Sequence, residues 1–246
     1  QFTQFKLMKF VIIIPARYKS SRLMGKPLIK IKNIPMVIRT YRQCIKVVKP
    51  ELVFVATDNV RIIDLCLKEN INVIKTSSKC LTGTDRVYEA SKKINAKTYI
   101  NIQGDEPIFN PQDLKKLINE IKKYPSEVIT GYSQITNKHD YFNVNIPKVV
   151  VSENGYVLYA SRSPIPGNKK GKFIQANRQI CAYAFPKKEL NKFAKKKSKT
   201  NLERIEDLEY LRFLEIGIKL RALKMSNKSI AVDTRSDLKK VLRKLN

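Results

Sequence analysis

Residues 9–14, Lys-Phe-Val-Ile-Ile-Ile, run without a break into Pro15-Ala-Arg-Tyr-Lys-Ser-Ser-Arg-Leu-Met-Gly-Lys-Pro-Leu28. The apolar run has the length and β-branched content of a strand buried on both faces, as in a parallel sheet. The strand leads into a loop whose residues include basic Arg17, Arg22 and Lys26, the hydroxyls of Ser20 and Ser21, and Gly25. Open α/β sheets bind their ligands at the carboxyl ends of such strands. Arginine and lysine at that place imply a polyanion, with a nucleoside triphosphate the first candidate. There is no GxxxxGK[ST] and no GxGxxG after a strand, so neither a P-loop nor a dinucleotide site is expected.

The rest of the chain supports an α/β reading. Glu51–Ala56, Ile71–Lys75 and Thr98–Ile102 read as further buried strands, with helical patterns at Val60–Glu69 and Thr84–Ile94 between them. Asn110 and Pro111 open a helix that runs to about Lys123. Strands alternating with helices predict a mostly parallel central sheet with flanking helices and right-handed crossovers. The alternation stops after Glu127. Val128–Ser133 is another strand, and Pro147–Ser152 and Tyr156–Ala160 flank Glu153-Asn-Gly155, a hairpin signal. Residues 136–185 are therefore expected to form a hairpin region that either projects as a subunit contact or extends the sheet. Thr200–Gly217 reads as the longest helix, with Leu202, Ile205, Leu208, Leu211 and Leu214 on its apolar face. One domain over 8–246 is expected, with Met8 as the native start and 1–7 as an extension.

Composition narrows the function classes. Apolar residues make up 43% of the 246, enough for a large core. No apolar run approaches the ~18 residues a membrane span needs, and no signal peptide is visible. The four cysteines have no CxxC spacing, so reduced thiols in the cytoplasm are expected rather than a zinc site. The single histidine, His139, stands in a polar surface segment, which argues against Ser-His-Asp or Cys-His catalysis. The net charge of +28 raises a competing reading, a basic nucleic-acid or anion-binding protein. The lysine runs at 169–170, 187–188 and 195–197 carry no interleaved aromatics. Solvated helix faces account for them better, and specific nucleic-acid binding is not expected.

Two acidic rims carry the remaining chemistry. Asn101-Ile-Gln-Gly-Asp-Glu-Pro107 ends a strand with poor strand formers, and its Gly104 allows close backbone approach while Asp105 offers a carboxylate. Ala231-Val-Asp-Thr-Arg-Ser-Asp-Leu238 places Asp233 after a short apolar run, with Thr234 or Ser236 starting the last helix. Each has a plain alternative, an acidic turn and a helix cap. Two strand-end carboxylates facing a basic phosphate loop suit Mg²⁺, which takes one or two carboxylates plus substrate phosphates.

Taken in order, the segment 14–28, Val55-Ala-Thr-Asp58, Thr82-Gly-Thr-Asp-Arg86, 101–107, Ser161-Arg162, Leu202-Glu-Arg-Ile-Glu-Asp-Leu-Glu209 and Val232-Asp-Thr234 resemble the 3-deoxy-manno-octulosonate (Kdo) cytidylyltransferase family. The resemblance implies a Rossmann-like nucleotidyltransferase fold and a reaction: CTP plus Kdo gives CMP-Kdo plus pyrophosphate, for lipopolysaccharide biosynthesis. By the match, Arg17, Ser21 and Lys26 contact the triphosphate. The backbone at Pro15 and Ala16 reads cytosine, helped by Thr84, Asp85 and Arg86. Asp105 and Asp233 hold Mg²⁺ and, with Lys26, form the catalytic group. Gln103, Tyr183 and Glu209 lie on the sugar side, and Arg162 meets the sugar carboxylate. The family is typically a homodimer through the hairpin region.

The departures are also informative. Met24 stands where the family usually has Pro, Gln179 where it has His, and Tyr210 where it has Gln. The last two fall on the sugar side, while the nucleotide side is intact. An altered substrate, 8-amino-3,8-dideoxy-manno-octulosonate, is therefore the runner-up sugar, with Gln179 and Tyr210 as sugar-binding positions.

Overall fold

The computed structural model describes residues 7–19 and 23–245. In chain order its elements are β1 (Met8–Pro15), β2 (Lys30–Ile31), β3 (Ile34–Pro35), α1 (Met36–Cys44), β4 (Val53–Thr57), α2 (Val60–Lys68), β5 (Asn72–Lys75), α3 (Gly83–Ser91), β6 (Ala96–Ile102) and α4 (Pro111–Lys123). They continue with β7 (Val128–Ile135), α5 (Lys138–Phe142), β8 (Lys148–Val151), β9 (Val157–Ser161), β10 (Ala176–Pro186), α6 (Lys187–Lys195), α7 (Asn201–Glu206), α8 (Leu211–Glu215), β11 (Leu220–Lys224) and α9 (Arg235–Lys244).

The main sheet runs β11-β7-β10-β6-β1-β4-β5, with β8 and β9 joined to it through β10. β1 pairs in parallel with both β4 and β6, β4 with β5, and β7 with β11. β10 is antiparallel to β6 and β7 and interrupts an otherwise parallel array. The sheet is covered on both faces, and β1 shows why. Val11 and Ile13 enter one core with Val87 and Ala90 of α3 and Leu190 and Phe193 of α6. Ile12 and Ile14 enter the other, with Val37 and Ile38 of α1, Ile62 of α2 and Leu114 of α4. Alternate side chains of one strand thus fill two layers. The helix starts obey local rules: Asn59 caps α2, Thr82 caps α3, and Asn110 caps α4 with Pro111 in its first turn.

Two expectations need correction. The long helix over Thr200–Gly217 is two short helices, α7 and α8, separated at Asp207, which adopts φ 50°. The cause is tertiary. The carbonyls of Glu206 and Asp207, which would continue the ladder, accept from the Arg162 guanidinium at 2.6 and 3.2 Å. The Gln179–Phe185 stretch, for which the sequence predicts no strand, is part of the long strand β10. Its pairing with β7 shifts between Ile180 and Tyr183, a bulge that bends the strand. The Asn154-Gly155 hairpin forms as β8–β9 and extends the sheet: β8 pairs with the first part of β10, and the Gly155 carbonyl accepts from Ala222 N at 2.8 Å.

Candidate active site

The parallel strands end together, and their loops line one cavity of ≈ 670 Å³, a size suited to a nucleotide-scale ligand. β1 delivers Pro15, Ala16 and Arg17 to it, and β6 delivers Gln103, Gly104 and Asp105. The two strand ends touch closely. Gly104 N donates to the Pro15 carbonyl at 3.3 Å, and a Cβ on Gly104 would lie 2.8 Å from that oxygen. Only glycine allows this approach. Gly83, at the start of α3, does the same for the Gln103 amide, which a Cβ would meet at 2.8 Å.

At the centre, three residues distant in sequence meet. Lys26 Nζ donates to Asp105 Oδ2 at 2.5 Å and to Asp233 Oδ1 at 3.0 Å. Burial opposes the ammonium charge, but the two carboxylates outweigh it and raise the Lys26 pKa. Asp233 is brought here by Val232, whose N–H donates to the Asp105 carbonyl at 2.9 Å. Thr234 and Asp237 then form the capping box of α9. Beside this group Glu106 is buried, and its Oε2 has no hydrogen-bond partner among the described residues. Burial, then the charge of Asp105, pushes its carboxyl up to about 8, against the pull of Arg178.

Among the described residues no cluster of three or more His, Cys, Asp or Glu is arranged to hold a metal. Asp105 and Asp233 nevertheless converge on one cation, the Lys26 ammonium. Two hard carboxylate oxygens facing a shared cation position fit Mg²⁺, whose remaining ligands are waters and phosphates.

The other expected site residues divide. Arg86, Gln103, Arg162, Gln179, Tyr183 and Glu209 line the cavity. Arg86 is buried, donates to Thr76 Oγ1 at 2.5 Å and pairs with Asp58 at 3.6 Å. Glu209 accepts from Thr84 N at 3.0 Å and from Gln103 Nε2 at 3.4 Å. Burial raises its pKa, and the Thr84 N–H opposes the rise. Gln179 donates to the Tyr183 hydroxyl at 2.5 Å, while its Oε1 is buried without a partner among the described residues.

Three side chains do not line the cavity. Asp85 is held by Arg212 at 2.9 Å and by Thr82 at 2.7 Å, so its carboxylate serves the packing of α3 against α8. Thr84 is buried and contributes its backbone N–H to Glu209. Tyr210 is also buried, its ring centroid 6.4 Å from that of Tyr183 and its hydroxyl unpartnered among the described residues. Ser21 lies outside the described residues, with Ser20 and Arg22. His139 is exposed and pairs only with its neighbour Asp140, at 3.4 Å. Sequence reasoning did not single out Arg178, Lys199, Asp207 and Lys240, which also line the cavity. Lys240 alone carried a signal: Thr234, Asp237 and Lys240 share one face of α9, while Leu238, Val241 and Leu242 pack in the core.

Known proteins match this chain over most of its length. The family described as Cytidylyltransferase matches residues 11–229. A 3-deoxy-manno-octulosonate cytidylyltransferase of Thermodesulfovibrio yellowstonii is 37% identical over 97% of this chain and 99% of its own. This chain belongs to the 3-deoxy-manno-octulosonate cytidylyltransferase family. The mitochondrial member from Arabidopsis thaliana is 35% identical over 95% of this chain and 82% of its own. A solved CMP:2-keto-3-deoxy-manno-octonic acid synthetase complexed with CTP superposes with a TM-score of 0.89 at 34% identity, covering 96% of this chain and 98% of that one. HddC from Yersinia pseudotuberculosis, at 18% identity and a TM-score of 0.68, shares the fold. Among the described residues, no helix of the cytidylyltransferase is long and apolar enough to cross a membrane.

Proposed function

We propose that this cytidylyltransferase joins CTP to an eight-carbon keto sugar acid, Kdo, releasing pyrophosphate, as the names of its relatives suggest. The observation that carries the reading is the meeting of Lys26, Asp105 and Asp233 between the phosphate loop and the polar wall of β10. In the reaction the anomeric hydroxyl oxygen of the sugar bonds to the α-phosphorus and gives up its proton to solvent. The bond from that phosphorus to the β-phosphate bridging oxygen breaks, and pyrophosphate leaves with the electron pair. Asp105 and Asp233 would hold Mg²⁺, whose chemistry when bound is to neutralise phosphate charge and lower the pKa of the attacking hydroxyl. Lys26 and Arg17 bind the triphosphate. The backbone at Pro15 and Ala16 faces the base, with Arg86 behind it. Gln103, Glu209, Tyr183 and Gln179 orient the sugar, and the free N–H groups of Arg162 receive its carboxylate. Such transfer is mostly positioning and charge stabilisation, so few other groups are required.

Supporting a homodimer, Phe142, Val144, Leu158 and Ile174 of the 136–185 region are exposed apolar side chains. Cys44 and Cys66, buried as thiols, suit a reducing cytoplasm. A second sugar reading rests on Gln179 Oε1, a buried acceptor without a partner among the described residues. An ammonium at C8 would satisfy it, which keeps the 8-amino sugar in view. The test is pyrophosphate release with CTP and Mg²⁺, comparing Kdo with its 8-amino analogue. Turnover with Kdo supports the first reading, a clear preference for the amino sugar the second, and release with neither refutes both.

A further inference from the structure

Lys148 of β8 is fully buried. Its ammonium donates to the carbonyls of Asn143, at 2.9 Å, and Arg162, at 2.5 Å. Among the described residues it makes no ion-pair contact. The charged groups around it are Arg162 at the end of β9, Glu206 at the end of α7, and Arg178, which stands opposite it in register on β10. Burial is costly for an ammonium, and an apolar side chain at this position would avoid the cost. What the lysine contributes is a donor at a fixed point.

The two carbonyls belong to the two halves of one wall. Asn143 and Arg162 both line the cavity. The Arg162 guanidinium in turn spans the same halves, donating to Val144 O at 3.2 Å on one side and to Glu206 O and Asp207 O on the other. Its backbone N–H donates to Glu206 Oε2 at 2.8 Å. Lys148 therefore fastens, from behind, the residue whose guanidinium faces the cavity.

We propose that Lys148 is a positioning residue for the sugar half of the reaction, holding Arg162 and the 143–147 turn as the wall that receives the sugar carboxylate. The inference rests on the role of Arg162 in the proposed function. Burial, then the charge of Arg162, lowers the Lys148 pKa to about 8, with Glu206 opposing. The ammonium is thus charged at pH 7 and loses its proton over the next two units. Its carbonyl bonds then weaken, because charged donors bind roughly twice as strongly as neutral ones.

The test is steady-state pyrophosphate release between pH 7 and 9.5 for the wild type, K148M and R162M, reading KM for sugar and for CTP separately. For the wild type, sugar KM is expected to rise about 3- to 10-fold across this range as the charged donor is lost, with CTP KM within about 2-fold. K148M is expected to start with a raised sugar KM, about 10-fold above wild type at pH 7, and to be flat in pH. A flat wild-type profile overturns the inference, as does a K148M that raises both KM values alike or keeps the wild-type pH dependence. In the last case Glu106, also near 8, is the titrating group. R162M separates the role of Arg162 from that of Lys148. If R162M leaves sugar KM unchanged, the reading of Arg162 is wrong and the inference falls with it. If R162M raises it and K148M does not, the inference alone is wrong. Should K148M not fold, E106Q takes its place: a pH dependence that survives in E106Q supports Lys148, and one that vanishes overturns it.

Discussion

The central group makes a stability prediction that can be worked from its geometry. Lys26 is 15% exposed at the side chain and bonds two carboxylates, Asp105 (24%) and Asp233 (38%). At an effective dielectric near 20, contacts of this length are each worth about 5–7 kcal/mol before desolvation. Desolvation of the ammonium takes back several kcal/mol, so the net contribution is small while a partner remains. D105N leaves Asp233 in place and should cost about 1 kcal/mol. D233N should cost less, because the carboxylate is more than a third exposed and solvent-screened. The double variant D105N/D233N strands the ammonium and should cost about 3–5 kcal/mol. For a chain of this size that means a Tm fall of about 2–4 °C for D105N, and about 10 °C for the pair. Adding K26M to the double variant should restore most of the loss. The assay is thermal unfolding in EDTA without nucleotide. Additive shifts that K26M does not rescue would show that the carboxylates do not share this lysine. The sign with pH is fixed too. Lys26 binds its proton more tightly when folded, so its contribution is complete below its ordinary value of 10.5 and is lost as pH rises through the raised folded value.

Other perturbations act on single contacts. In G104A the new methyl meets the Pro15 carbonyl at 2.8 Å, so the β1 and β6 ends must part; a cost of about 1–3 kcal/mol and a fall in kcat are expected in unfolding and turnover assays. R212M removes the partner of Glu203, which is fully buried and bonded at 2.6 and 2.7 Å; urea unfolding should show a loss of about 3–5 kcal/mol. Glu206 is opposed by burial, but bonds from Arg162 N, Ser161 and Tyr159 lower its pKa. Its contribution is therefore present above the ordinary value of 4.5 and lost as pH falls below it, and E206Q should flatten the acid limb of a Tm–pH curve. Y210F removes a buried hydroxyl without a hydrogen-bond partner, so stability should hold or rise by up to about 1 kcal/mol, with sugar KM unchanged in turnover assays.

The strand ends at Pro15 and Asp105 were legible because their signals are local. A β-branched strand, a basic loop and a Gly-Asp turn each reveal themselves within a few residues, and the sheet brings their ends together. The wall formed by Arg162, Gln179, Tyr183 and Glu209 depends on contacts between distant segments. The break at Asp207 is imposed by Arg162, 45 residues earlier in the chain, and no helical period reports it. That break places Glu209 against Thr84 N and turns Tyr210 into the core, so two adjacent residues expected at the sugar part company. Asp85 was readable in a different sense: Thr82-Gly-Thr-Asp85 has the spacing of a capping box, and the Asp85 N–H donates to the Thr82 hydroxyl at 3.2 Å. Strand β10 carries a weak strand signal because Ile180 is its single β-branched residue and its ladder with β7 shifts between Ile180 and Tyr183.

The charge of the site is a separate matter from the charge of the chain. The chain carries +28, yet the charged groups that act on Glu106 balance. Lys26 and Arg178 supply two positive charges, and Asp105 and Asp233 two negative ones. Glu106 adds none near pH 7, since burial and the charge of Asp105 hold its carboxyl at about 8. Were it ionised like an ordinary glutamate, the centre would repel the triphosphate proposed to bind at Arg17 and Lys26. Burial of one carboxyl beside two exposed to the cavity keeps the acidic pair strong enough to hold a cation and the whole centre neutral enough to admit an anion.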